Sequence, residues 1–146
     1  MRTIGTSFTP EETQAFVAGC LSHVGKPFRH MGRGPSSFDC AGLPLYELAR
    51  MGRPVYDLPA YGREPFRDGL REAIRTNLGD SLPASQKRAG DVVLMRFDGE
   101  PRHVGVLGDY PQGGLMLIHT YSRVRKVVAH RLDERWASFI IEAYRP

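Results

Sequence analysis

The chain holds 146 residues, 41% of them hydrophobic and 25% charged, with a formal net charge of +4 and a pI near 9.3. That length and balance suit one compact soluble domain over residues 1–146, large enough for a sizeable core. Two cysteines exclude a disulfide framework, no CxxC or HExxH run offers a metal site, and no apolar stretch approaches membrane-spanning length.

The basic excess hints at anionic surroundings such as nucleic acid, a membrane surface or an acidic polymer, but the 20 basic residues are scattered. Their only local cluster, Arg123 to Lys126, alternates with valine like a strand with one solvated face, so neither a nucleic-acid partner nor membrane insertion is expected. Met1 to Thr9 lacks the basic-then-apolar order of a secretion signal, and the chain is expected to be made in the cytoplasm.

Thr9-Pro10-Glu11-Glu12 predicts a helix start, with Thr9 as N-cap, Pro10 at the first position and Glu12 completing a capping box. Phe16, Val17, Cys20, Leu21 and Val24 then form one apolar stripe ended by Gly25, and Cys20 in that stripe reads as core. Gly25 to His30 leads through an irregular loop towards Gly32, Gly34 and Pro35. The recurrence of Leu43, Leu45, Leu48 and Ala49 predicts a second helix from about Cys40 to Arg50, closed by Gly52. Pro44 fits only its first turn, so the helix begins at residue 40 or later. Arg53 to Arg63 reads as loop, where Tyr56 and Tyr61 line a cleft or simply pack; Glu64 to Asn77 reads as a short helix, and Ser81 to Arg88 as connector.

From Gly90 the texture changes. Val92–Phe97, His103–Gly108, Gly114–Tyr121, Arg123–Leu132 and Ser138–Tyr144 are five apolar runs that predict strands. Glycine turns at 98–99 and 113–114 predict hairpins, hence an antiparallel meander. Helices first and strands afterwards make an α+β domain.

Chemistry concentrates at Cys40. A thiol at a helix start lies where unpaired N–H groups and the helix dipole favour negative charge, which predicts a lowered pKa and a nucleophilic thiolate. Ser37 and Asp39 are possible caps for that helix end, and the small Ala41 and Gly42 leave room for a substrate to reach the sulfur. The plain alternative is a buried small hydrophobe, and a Cys20–Cys40 bridge would remove the nucleophile altogether. A nucleophilic cysteine needs a base and a group that orients the base. Of the five histidines, His23 reads as a surface or boundary residue and His130 as solvated in a charged strand. His103 opens a strand, and His119 shares a strand face with Leu115 and Leu117, where a polar group needs a partner.

Four motifs follow one another along the chain: Phe38-Asp39-Cys40-Ala41-Gly42, Gly90-Asp91-Val92-Val93-Leu94, Arg102-His103-Val104-Gly105-Val106 and Leu117-Ile118-His119. Together they resemble the NlpC-type cell-wall cysteine peptidases of the papain-like clan, over nearly the whole chain from about residue 10. Gly25-Lys26-Pro27-Phe28 and Arg29 to Arg33 resemble the branch encoded near tail genes of phages and gene-transfer agents.

The resemblance implies a papain-like α+β fold, with N-terminal helices packed on a C-terminal antiparallel sheet of about five strands. It implies Cys40 as nucleophile, His103 as general base and acid, His119 as the group orienting His103, and the Cys40 backbone N–H as an oxyanion donor. Asp39 matches the position that engages the free amine of a stem peptide, beside its reading as a helix cap. Phe28 stands where many members have a tyrosine whose hydroxyl lies near the oxyanion; phenylalanine cannot donate, and His30 and Tyr61 are the candidate substitutes. The implied activity is hydrolysis of peptidoglycan stem peptides between γ-D-glutamyl and the diamino acid, with no metal or cofactor. The implied setting is a virion tail acting at the cell wall, among other tail proteins. Two rivals share the scaffold: a structural tail-tip or assembly protein, favoured by Phe28 and opposed by the intact Cys40, His103 and His119 set, and an amidase or acyltransferase acting on lipid or small amides.

Overall fold

The computed structural model describes residues 7–57 and 69–146; Tyr61 and the start of the helix expected from Glu64 lie outside them. Helix α1 spans Pro10–Leu21 and opens with the expected box: Glu12 N–H donates to Thr9 Oγ1 at 3.2 Å and Thr9 N–H to the Glu12 carboxylate at 2.9 Å. It stops short of Gly25. Ser22 turns its hydroxyl back onto the Gly19 carbonyl, and Val24, expected in the stripe, is 47% exposed. Helix α2 spans Gly42–Arg50, which leaves Pro44 in its first turn. Helix α3 spans Leu70–Leu78 and ends at Gly79, whose φ of +82° suits the stop.

Six strands follow: β1 Leu82–Pro83, β2 Val92–Phe97, β3 Glu100–Asp109, β4 Leu115–Tyr121, β5 Lys126–Arg131 and, after a short helix α4 (Glu134–Ala137), β6 Ile140–Tyr144. The sheet order is β1-β6-β2-β3-β4-β5, antiparallel throughout. The meander is therefore β2 to β5, and β6 returns across it to lie beside β2. The sixth strand, β1, is two residues in the expected connector, too short to leave a hydrophobic pattern. Ser122 to Arg125 form a hairpin turn rather than the start of β5, with Arg125 in the left-handed region at φ +62°.

Both sheet faces are covered, which is why β2 reads as a continuous apolar run rather than an alternation. One face, with Val92, Leu94, Val104, Val106, Met116 and Ile118, packs against Phe16, Cys20, Leu43, Leu48 and Ile74 of the helices. The other, with Val93, Met95, Leu107, Leu117, Ile140 and Ala143, is covered by Trp136, Phe139, Leu82 and Leu132. Cys20 is buried in the core and both cysteines are free thiols, so the disulfide alternative is not realised.

His23 is not the boundary residue its position suggested. It is buried, with Nε2 2.8 Å from Glu47 Oε2 and Lys26 Nζ donating to Nδ1 at 2.8 Å. Lys26 also donates to the Pro35 carbonyl at 2.8 Å. This cluster ties the end of α1 to α2 and holds the loop that carries residues 26–39 up to the cysteine. Among the described residues, no helix is long and apolar enough to cross a membrane.

Candidate active site

The loop before α2 folds onto itself to present Cys40. Arg29 N–H donates to Phe38 O at 3.0 Å, Phe38 N–H to Pro27 O at 3.2 Å, and Asp39 N–H to Gly32 O at 3.1 Å. Phe28 bridges Phe38 in the same ribbon, and its own N–H is tied to Arg125 O at 2.9 Å, so its half-buried ring belongs to the strip that flanks the cysteine loop. His30 stands half-buried in the turn closed by Gly32 N–H to Arg29 O.

Asp39 is not the N-cap of α2, which is Ala41, but it braces the turn that leads into the helix. It is 4% exposed, and its Oδ1 accepts the Gly42 N–H at 2.8 Å and an Arg33 N–H at 2.8 Å. Arg33 in turn grips Asp57, with Nε at 2.8 Å from Oδ2. One guanidinium thus lies between two carboxylates. Asp57 was not singled out in the sequence, because its pairing depends on a loop 24 residues away from Arg33.

The small residues after Cys40 serve packing. Ala41 is 7% exposed, and a Cβ on Gly42 would sit 2.0 Å from the Gly32 carbonyl oxygen. The expectation that they clear a path to the sulfur is therefore corrected: Gly42 is small because the loop backbone crosses it there. Gly105 has the same logic on the sheet, where a Cβ would meet Leu117 Cδ1 at 2.5 Å and His119 Cβ at 3.5 Å. Between α2, α3 and the sheet, an apolar cavity lined by Ala41, Leu45, Ile74, Val92 and Val104 backs onto this corner and offers no chemistry of its own.

The histidines come together as the motif order implied. His119 continues the face of Leu117, and His103 that of Leu107, the face away from the helices. His103 Nε2 lies 2.7 Å from His119 Nδ1. Aromatic rings enclose the pair: Phe97 stacks on His103 with centroids 4.8 Å apart, Tyr121 stacks on His119 at 5.4 Å, and Trp136 meets His119 edge-on at 5.2 Å. His103 is 5% exposed and His119 fully buried. Burial holds His103 down at about 3; burial, then the neighbouring His103 and His130, hold His119 down at about 2. Both rings are neutral in the resting protein. His130 is not the solvated residue expected of it: it is half-buried, with Nε2 2.9 Å from His119 Nε2.

Cys40 reaches this end of β3 from the helix side, largely buried at the edge of the core it packs against. The backbone N–H groups of Val104, the residue after His103, and of Ala41 face its sulfur and favour the thiolate. They are outweighed. Burial, and next the Asp39 carboxylate, push the Cys40 thiol up to about 12, so the helix start alone does not make the resting thiolate that its position predicted. Among the described residues the thiol makes no hydrogen bond to the His103 ring, and the two stand as neutral groups. Iodoacetamide at about pH 6.5 is therefore expected to label Cys40 of the free protein no faster than a model thiol of pKa about 8.5. Labelling that outruns the model thiol, measured by peptide mass spectrometry, would show a preformed thiolate and contradict this.

Charge separation between the two is a different matter. A proton passed from Cys40 to His103 creates an anion and a cation in one corner of low dielectric, and their attraction offsets part of the burial penalty that each bears alone. Groups of three or more His, Cys, Asp or Glu arranged to hold a metal ion are absent among the described residues.

The NlpC/P60 family model matches residues 25–145. The probable endopeptidase p60 of Listeria innocua is 29% identical over 127 residues, 87% of this chain and 23% of that protein. The peptidoglycan endopeptidase RipA of Mycobacterium tuberculosis is 36% identical over 86 residues, 59% of this chain and 15% of its own length. The chain thus spans less than a quarter of these two curated relatives. Among solved structures, the NlpC/p60 domain of the peptidoglycan hydrolase SagA superposes with a TM-score of 0.64 at 24% identity, covering 92% of this chain and 98% of that one. That likeness establishes the α+β fold. The family match runs without a break from the loop under Cys40 through both histidine strands to the end of β6, and the chain belongs to the NlpC/P60 family.

Proposed function

We propose that this domain is a cysteine peptidase that hydrolyses peptidoglycan stem peptides. The observation that carries the reading is the buried His103–His119 hydrogen bond of 2.7 Å at the strand end where Val104 N–H meets the Cys40 sulfur. Cys40 would attack the amide carbonyl while His103 takes the thiol proton at Nδ1, the nitrogen not engaged by His119. A C–S bond forms, and the backbone N–H of Cys40 helps hold the oxyanion. His103 then gives the proton to the leaving amine as the C–N bond breaks, and water hydrolyses the thioester. Neither step needs a metal or cofactor.

Relatives named as peptidoglycan endopeptidases support the substrate class. Asp39, next to Cys40 and at the position that the resemblance assigns to the free amine of a stem peptide, supports cleavage between γ-D-glutamyl and the diamino acid. Phe28 lacks a hydroxyl, so the oxyanion is left to backbone donors and to His30 or Tyr61. The likeness of residues 25–33 to tail-encoded relatives supports a tail-associated domain that meets the wall from outside, beside other tail proteins. Mass spectrometry of muropeptides after incubation with the purified protein tests the reading, with new termini at the γ-D-glutamyl bond as the expected result. Intact muropeptides from several wall types would favour the structural tail-tip alternative that Phe28 suggests.

His119→Ala is expected to lower turnover about 10²-fold, because His103 loses the partner that orients it, while His119→Gln, which keeps a polar partner, retains more. Equal loss in both, with melting temperature falling in step, would reduce His119 to a core residue.

A further inference from the structure

We propose that His130 is a positioning residue that, through His119, fixes which nitrogen of His103 carries a proton. Three rings form one hydrogen-bonded chain. His130 Nδ1 lies 3.0 Å from the Arg131 carbonyl oxygen, His130 Nε2 lies 2.9 Å from His119 Nε2, and His119 Nδ1 lies 2.7 Å from His103 Nε2. A carbonyl oxygen only accepts, so His130 Nδ1 carries the hydrogen there. In a neutral ring its Nε2 is then a bare acceptor. His119 must donate from Nε2, which leaves His119 Nδ1 as an acceptor, and His103 must donate from Nε2 in its turn. The outcome is a His103 whose Nδ1 is unprotonated. With all three rings neutral no other arrangement satisfies every link, because reversing the chain would require the Arg131 carbonyl to donate.

The sheet places His130 for this task. It pairs opposite Leu117 in the β4–β5 register, and so shares the face of Leu117 and His119 and reaches His119 diagonally. Trp136 packs against both rings, with centroids 4.9 Å from His130 and 5.2 Å from His119, and fixes their relative orientation. His119, an imidazole, can donate or accept at either nitrogen. An amide oxygen in its place would orient His103 without help, whereas an imidazole needs a further group to choose its tautomer.

The catalytic consequence of this chain rests on the peptidase reading; the positions of its protons do not. In protein labelled with ¹⁵N-histidine at about pH 8, above the ordinary imidazole range, two-bond ring spectra are expected to show His130 protonated on Nδ1 and His119 and His103 on Nε2. A proton on Nδ1 of His119 or His103 overturns the proposal, and this needs no variant and no substrate. His130→Phe keeps a ring beside Trp136 but offers no acceptor. It is expected to mix the tautomers of His119 and to lower kcat for stem-peptide hydrolysis about 10-fold with KM within about 2-fold, while His130→Gln, whose Oε1 accepts, restores a single tautomer and most of kcat. A single unchanged tautomer in His130→Phe, or a Gln variant no better than Phe, would leave His130 a packing residue and overturn the proposal. If the parent cleaves no muropeptide, the peptidase reading fails and the spectra alone still decide the chain.

Discussion

Cys40→Ala is expected to release stem-peptide fragments from purified peptidoglycan at least about 10⁴-fold more slowly than the parent. The magnitude follows from the step that is lost. Without the sulfur no thioester forms, and water must attack the amide directly with only the backbone donors and the base in place. The fold should survive the change, since Cys40 is only partly buried and alanine removes a single heavy atom beside the core. The loop is held by bonds that do not involve the thiol: Asp39 to Gly42 and Arg33, and Phe38 to Pro27 and Arg29. A melting temperature near that of the parent together with lost release is therefore the expected pair of results. Release at the parental rate would remove the nucleophile from the mechanism and with it the peptidase reading.

What could be read in the sequence was local. The Thr9 capping box, the first-turn Pro44 and the span of β2 depend on residues within a few positions of one another, and the structure places them as read. The strand pattern put His119 on a leucine face, where such a group requires a partner, and the resemblance named that partner as His103. His130 was missed because its role depends on register. Only when the hairpin closes at Tyr121 and Lys126 does His130 fall opposite Leu117, and the alternation of Arg123 to Lys126 suggested an earlier strand start. His23 was missed for a similar reason, since Glu47 lies 24 residues away on another helix. The thiol was misjudged on magnitude. Two backbone N–H groups and Arg33 favour the thiolate, but burial and a carboxylate one residue away act the other way and outweigh them.

Acid should weaken the fold by up to about 4 kcal/mol between pH 7 and pH 5. His103 and His119 have folded-state values of about 3 and about 2, against about 6.5 for an unfolded histidine, and burial is the main cause of both. Below pH 6.5 the unfolded chain therefore binds two protons that the folded chain refuses. Stability conferred by neutral burial is complete above about pH 6.5 and drains away as pH falls towards the folded values. Each histidine contributes at most about 1.4 kcal/mol per pH unit, so the pair can remove up to about 4 kcal/mol between pH 7 and pH 5. Urea unfolding followed by tryptophan fluorescence is a suitable measurement, since the single tryptophan, Trp136, packs on His119. The unfolding midpoint should fall steadily from pH 7 to pH 5 in the parent, and about half as steeply in His119→Gln, which leaves His103 alone of the pair. A midpoint that stays level over this range would mean that the two rings take up their protons inside the folded protein. The aromatic enclosure by Phe97, Tyr121 and Trp136 would then be open to water, and the base would titrate like an ordinary imidazole.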